Sequence, residues 1–204
     1  ELQLFIGKEQ EMAFEEYNEI KSYEVPLLDW KSQEKDQFEP RLMTLKEAIN
    51  QQILKKPAFA YCIYLGYYLT QKLGYPNGTL RLRQHSPNEM AHYADDAWDL
   101  EVKTHQFGWV EICGIHDRTD YDLKRHGEYS NQNFEISMGS DPKVKEVPQI
   151  LEIAFGPDRI IYTLLETCFD VEDERIILNL LPELAPNTVA VFPLVRNKEE
   201  ILKL

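Results

Sequence analysis

An α+β fold, an antiparallel sheet flanked by helices, is what this 204-residue sequence predicts, on three observations. Apolar residues alternate with polar ones over residues 80–83 and 98–103, the period of half-buried strands, and residues 107–115 read as a third strand. The second and third of these strands are separated by only a short turn around His105 and Gln106, so antiparallel pairing is the economical connection. Helical periodicity, with start and stop signals, marks residues 45–53, 57–74 and 158–169. At 43% apolar the chain is long enough for one globular domain, with room for a fragment of another.

Taken in order, ELQLFI (1–6) reads as a short strand and residues 9–21 as an acidic helix with Met12, Tyr17 and Ile20 on one side. Residues 22–40, with Pro26, Pro40 and many charges in no clear period, read as a loop between layers. Thr44 and Glu47 form a capping-box pattern that starts a helix with Leu45, Ala48, Ile49 and Ile53 in one stripe. Pro57 opens a helix apolar on nearly every side through YCIYLGYYL, which predicts burial, with its tyrosines as core packing. Pro76, Asn77 and Gly78 turn the chain into the first alternating strand. Residues 127–146 read as a loop or the stump of an insertion, and SMGSD within them fits a break in the chain. The helix at 158–169 turns Ile161, Leu164, Leu165 and Cys168 toward the sheet, and TVAVFPLV (188–195) is a last strand after a proline-flanked linker.

The composition narrows the function classes. A net charge of −13 argues against gripping nucleic acid with the whole surface, since phosphate binding is mainly electrostatic. Lys124 and Arg125 are interleaved with Asp117, Asp120 and Asp122, which reads as a solvated face and leaves a local basic patch open. The longest apolar stretch is about a dozen residues, short of the roughly 20 that cross a bilayer. The first residues, ELQLFIGKEQEM, have neither a basic region nor a cleavage site. Cys62, Cys113 and Cys168 lie far apart among apolar residues, which fits reduced core cysteines of a cytosolic protein. The five histidines have no zinc spacing, and His92 and His116 read as structural. GxSxG, Walker and GxGxxG motifs are absent.

Two residues stand out as chemistry. Glu111 is the only charge in the strand FGWVEICGI, placed by alternation on the face of Trp109 and Cys113. Burying a carboxylate unpaired costs several kcal/mol, so it requires a partner: one of Arg81, Arg83 and Arg118, or else a cation, a donor set or a ligand. Arg159 follows the helix-start signal Gly156-Pro157, and a cation in a first turn opposes the helix dipole. It is either an exposed surface arginine or one that reaches a cleft to grip phosphate or carboxylate.

Longer runs carry a resemblance. RLRQHSPNEMAHYADDAWDLE (81–101), GWVEICGIHDRTDYDLKRH (108–126), VPQILEIAFGPDRIIYTLLE (147–166), PELAPNTVAVFPLV (182–195) and LMTLKEAINQQIL together resemble the class II glycyl-tRNA synthetases of the archaeal and eukaryotic type. The resemblance implies a class II core over residues 1–180, followed by a linker and the first strand of an anticodon-binding domain over 181–204. It implies activation of glycine with ATP and Mg²⁺, transfer to tRNA(Gly), a homodimer and a cytoplasmic location.

Carried over by position, Glu1 matches the glutamate ending motif 2, which contacts glycine. Glu111 and Ile112 match the strand pair on ATP, with the carboxylate acting through magnesium. Glu152 matches the glutamate that holds the glycine amino group, and Arg159 the arginine on ATP. Ala154 stands where the resemblance expects a glycine-pocket serine. Motif 1 and nearly all of motif 2 are expected before Glu1. The rival reading is a non-catalytic synthetase-like binding protein, such as a polymerase accessory subunit.

Overall fold

The computed structural model describes residues 1–137 and 143–192. In chain order these form β1 (Leu2–Ile6), α1 (Lys8–Met12), α2 (Tyr17–Ile20), β2 (Glu24–Leu28), α3 (Trp30–Gln33), β3 (Arg41–Thr44), α4 (Leu45–Asn50), α5 (Pro57–Gln71) and β4 (Leu80–Gln84). Then come β5 (Asp96–Thr104), β6 (Gly108–Thr119), α6 (Tyr121–Ser130), β7 (Ile136–Ser137), β8 (Lys145–Glu146), β9 (Gln149–Phe155), α7 (Pro157–Cys168), β10 (Phe169–Glu172) and β11 (Arg175–Leu178). A seven-stranded sheet in the order β1-β9-β6-β5-β4-β2-β3 organises the molecule. All its pairings are antiparallel except β2 with β4.

Cross-strand rows explain the core. Leu82, Leu100 and Cys113 are register partners in sequence across β4, β5 and β6, as are Trp98, Ile115 and Ile153 across β5, β6 and β9. All six are buried, because alternation sends them to the one face that a helix covers. That helix is α5, which carries the Ala58, Phe59, Cys62 and Ile63 side chains into the core. A Cβ on Gly66 would lie 2.8 Å from Ile115 Cδ1, so the missing side chain is what lets α5 sit so close to β6. The helix leaves through Gly74 at φ +80°, a conformation suited to glycine after a helix end.

The capping box at α4 forms as expected: Glu47 N–H donates to Thr44 Oγ1 at 3.2 Å, and Thr44 N–H donates to Glu47 Oε2 at 2.8 Å. All three cysteines are buried and unpaired, with burial pushing the Cys62 and Cys113 thiols up to about 12.

Other expectations are corrected. The helix expected at 9–21 is two short ones, α1 and α2. The loop expected at 22–40 contains β2 and α3, where Val25, Leu27 and Leu28 are buried and Asp29 caps α3 by accepting from Ser32 N–H at 3.0 Å. Pro26 is tolerated within this strand, and β3 pairs beside it. Helix α6 extends into the loop expected at 127–146, and β7 pairs with β8 beyond it. In α7, Leu164 packs against the core and Cys168 is buried as expected, whereas Ile161 and Leu165 are exposed and Ile160 and Thr163 turn inward in their place. The strand expected at 188–195 is not formed over 188–192, and its remainder lies outside the described residues.

Asp96 supplies a measurable consequence of this packing. Its Oδ1 accepts from Gln84 Nε2, Ala97 N and Trp98 Nε1, while Oδ2 is buried without a partner. Burial pushes its carboxyl up to about 6, ahead of the lowering effect of Gln84. A folded pKa above the unfolded value means that the stabilising contribution is full below about pH 4 and is lost as pH rises through about 6. Asp96→Asn removes that loss, so urea titrations are expected to show it up to about 3 kcal/mol more stable relative to wild type at pH 7 than at pH 4. An unchanged stability difference between pH 4 and pH 7 would contradict the assignment.

Candidate functional site on the polar face of the sheet

The face of the sheet opposite α5 is built from the residues that alternate with the core. Arg81 and Arg83 on β4 pair across to Glu101 and Asp99 on β5, and Asp99 pairs to Gly114 on β6. Gly114 and His116 pair in turn to Ala154 and Glu152 on β9, and Glu152 pairs to Gln3 on β1. One edge of this face is tied into ion pairs. Arg83 reaches Asp99 at 2.7 Å, Glu101 at 3.1 Å and Glu89 at 2.9 Å, and Arg81 meets both Glu101 and the Trp109 ring. His85 Nε2 lies 2.8 Å from Asp99 Oδ2, and that hydrogen bond raises the imidazole above its ordinary value. Burial acts to raise Asp99, but hydrogen bonds and charge from His85 and Arg83 outweigh it and hold the carboxyl low.

Strict alternation fails at Glu111. The β5–β6 register shifts, so that Leu100 faces Cys113 while Glu101 faces Glu111, leaving Ile112 as an extra residue. A β-bulge of this kind re-aims a side chain, and bulges concentrate beside functional sites. Its result is that Ile112 and Cys113 both enter the core while Glu111 turns to the polar face, 43% exposed. The expectation that Glu111 shares a face with Cys113 is therefore corrected, and so is the expectation of a buried carboxylate. Ile112 contributes only backbone here: its side chain is buried and its carbonyl accepts from Gly156 N–H at 2.8 Å.

Glu111 and Arg159, singled out separately in the sequence, meet. Arg159 Nη1 lies 3.0 Å from Glu111 Oε2 and donates to the Glu111 carbonyl at 3.1 Å. Arg81, Arg83 and Arg118 have other carboxylates. With the Arg159 side chain 55% exposed, the pair is worth at most about 1 kcal/mol and opens cheaply.

Glu152, on β9, anchors a second group: its cross-strand partner His116 stands five residues beyond Glu111 along β6, roughly 15 Å at strand rise. Glu152 is 6% exposed, accepts from Arg118 Nη1 at 3.0 and 3.2 Å and from Gln3 Nε2 at 3.1 Å, and has His116 Nδ1 3.4 Å away. Gln3 also donates to Glu1 at 2.7 Å, which brings Glu1 to the same group although Glu1 itself is exposed. Arg118 is held by Asp122 at 2.7 Å and stacks over the Tyr93 ring at 4.2 Å. Gln3 was not marked by sequence reasoning, and Arg118 was named only as a possible partner of Glu111, because an arginine and a glutamine in polar runs carry no local anomaly that ties them to Glu152. Ala154 faces Gly114 and offers no polar side chain.

Among the described residues no three His, Cys, Asp or Glu side chains converge as a metal-binding group. Glu111 is a single carboxylate, a donor set that suits magnesium held mainly by phosphate and water. No helix of the described residues is long and apolar enough to cross a membrane.

A large, mostly antiparallel sheet with helices on one face and arginine–carboxylate chemistry on the other is compatible with an aminoacyl-tRNA synthetase core. Sequence comparison gives the particular relatives. The chain is 30% identical to a glycine–tRNA ligase of Methanococcus vannielii, over 98% of this chain and 49% of the relative. Against that of Methanocaldococcus jannaschii it is 28% identical, over 100% of this chain and 49% of the relative. Against that of Methanothermobacter thermautotrophicus it is 30% identical, over 78% and 41%. The chain thus spans about half the length of the curated relatives it matches. No family model matches it. The first alignment runs over 281 residues, more than the 204 of this chain, so that relative carries residues without a counterpart here.

Proposed function

We propose that this chain provides part of the class II catalytic core of a glycine–tRNA ligase, with the polar sheet face as its active-site floor. The observation that carries the reading is the placement of two charged groups on that one face: Glu111 with Arg159, and Glu152 with Gln3 and Glu1. The similarity to glycine–tRNA ligases over nearly the whole chain supports it.

In this reading the glycine carboxylate attacks the α-phosphate of ATP, giving glycyl-adenylate and pyrophosphate, and a hydroxyl of the terminal ribose of tRNA(Gly) then takes the glycyl group with release of AMP. The work is positioning and electrostatic stabilisation, with no covalent enzyme intermediate. Arg159 leaves Glu111 to meet phosphate oxygens, for which its planar fork is suited. Magnesium, when bound, neutralises phosphate charge, and Glu111 is the residue that would hold it. Ile112 borders the nucleotide through its backbone. Glu152 accepts the glycine ammonium, Glu1 adds negative charge through Gln3, and Ala154 with Gly114 leaves a shallow floor. Residues 1–180 form the core portion in this reading, 127–146 mark the place of an insertion, and 181–204 lead into an anticodon-binding domain. A homodimer completes the enzyme.

The test is glycine-dependent ATP–pyrophosphate exchange by the intact protein, with alanine and serine as controls. Exchange that depends on glycine, and exceeds that with alanine or serine, is expected. A folded protein without glycine-dependent exchange would overturn the reading in favour of a synthetase-like protein that binds without catalysing.

A further inference from the structure

His116 occupies a position that its sequence context does not advertise. It is the cross-strand partner of Glu152, and the residue two places before it, Gly114, is the partner of Ala154. The imidazole leans back over Gly114: a Cβ built there would lie 2.7 Å from His116 Cε1, with the two ring nitrogens at 3.5 and 3.6 Å. The ring therefore fills the space left by the missing side chain of Gly114, in contact range of the Glu152 carboxylate. Its Nδ1 is buried and has no hydrogen-bond partner, although Glu152 Oε1 is 3.4 Å away. A buried ring nitrogen without a partner is costly, and here it lies beside the carboxylate assigned to the amino acid.

We propose that His116 is a specificity-determining residue of the amino-acid pocket, its ring walling off the space above Gly114 and its Nδ1 supplying Glu152 with a donor that Ala154 cannot provide. This rests on the glycine-activating reading above. The ring acts in two separable ways. As volume, it excludes a substrate bearing a methyl or hydroxymethyl group, since a substrate side chain would meet the imidazole. As a polar group, in the tautomer protonated at Nδ1, it donates to Glu152 and holds that carboxylate in place for the substrate. His85 stands edge-on to it at 6.3 Å between ring centres and limits how far it swings.

Two variants of the intact protein separate these roles in pyrophosphate exchange. His116→Ala removes both: alanine activation relative to glycine is expected to rise about 10-fold or more, the worth of one methyl group in a pocket, and the glycine KM to rise with it. His116→Leu keeps volume without the donor: the glycine KM is expected to rise while alanine remains excluded. Adding Ala154→Ser to His116→Leu is expected to return the glycine KM toward wild type, which a merely structural role for His116 does not predict. An unchanged glycine KM in His116→Leu overturns the proposal even if His116→Ala does not fold. So does an unchanged alanine-to-glycine ratio in a folded His116→Ala. Wild-type protein without glycine-dependent exchange overturns the functional reading and this inference together, whereas an active wild type with unaltered variants overturns this inference alone.

Discussion

Glu152→Gln is expected to lower kcat/KM for glycine by roughly 30- to 1,000-fold while leaving the KM for ATP within about threefold. The magnitude follows from replacing a charge-assisted hydrogen bond to an ammonium by a neutral one in a site almost closed to water, about 2–4 kcal/mol. Glutamine keeps the shape, and Arg118 keeps its second carboxylate, Asp122, at 2.7 Å, so the local fold has a reason to survive. The loss should appear chiefly in the glycine KM, because an ammonium contact is made in the ground state as well as the transition state. Exchange kinetics with glycine and ATP varied in turn check this. An unchanged glycine dependence would remove Glu152 from the site and leave it as the anchor of Arg118.

Arg159→Ala is expected to cost about 10²- to 10³-fold in the rate of adenylate formation with little change in thermal stability. One donor aimed at developing charge is worth that much once the bound substrates have displaced water from around it. Stability should hold because the side chain is 55% exposed and its ion pair with Glu111 lies in solvent, where such pairs contribute little. Removing an arginine from the first turn of α7 also relieves an unfavourable interaction with the helix dipole. Single-turnover measurement of adenylate, alongside a melting curve, checks both halves. A stable variant with a normal rate would make Arg159 a surface residue.

Particular residues show what was legible before the structure. The Thr44–Glu47 cap, the Pro57 start and the strands around 80–84, 96–104 and 108–119 were readable because each is local: a cap spans four residues, and alternation repeats every two. Strand β2 was missed because Pro26 and flanking charges imitate a loop, and its place between β3 and β4 depends on partners far along the chain. The face of α7 is legible only in part: Leu164 and Cys168 turn inward as expected, but Ile161 and Leu165 are apolar yet exposed, so the pattern alone draws the buried face too wide.

Glu111 and Arg159 were each conspicuous in the sequence, one as a lone charge in an apolar strand and the other as a cation at a helix start. The sequence by itself marked these two residues as the ones to explain and placed Glu111 on a strand of an antiparallel sheet, while Glu152 entered only through the family resemblance. Tertiary structure decided which way they point and whom they meet. The bulge at Ile112 reverses the alternation and turns Glu111 out of the core to reach Arg159 across 48 positions of sequence. The registers of β1, β6 and β9 gather Gln3, His116, Arg118 and Glu152. Periodicity records the chain's local geometry, whereas register and bulges are set by packing between strands distant in sequence, so their outcome is written only in the folded molecule.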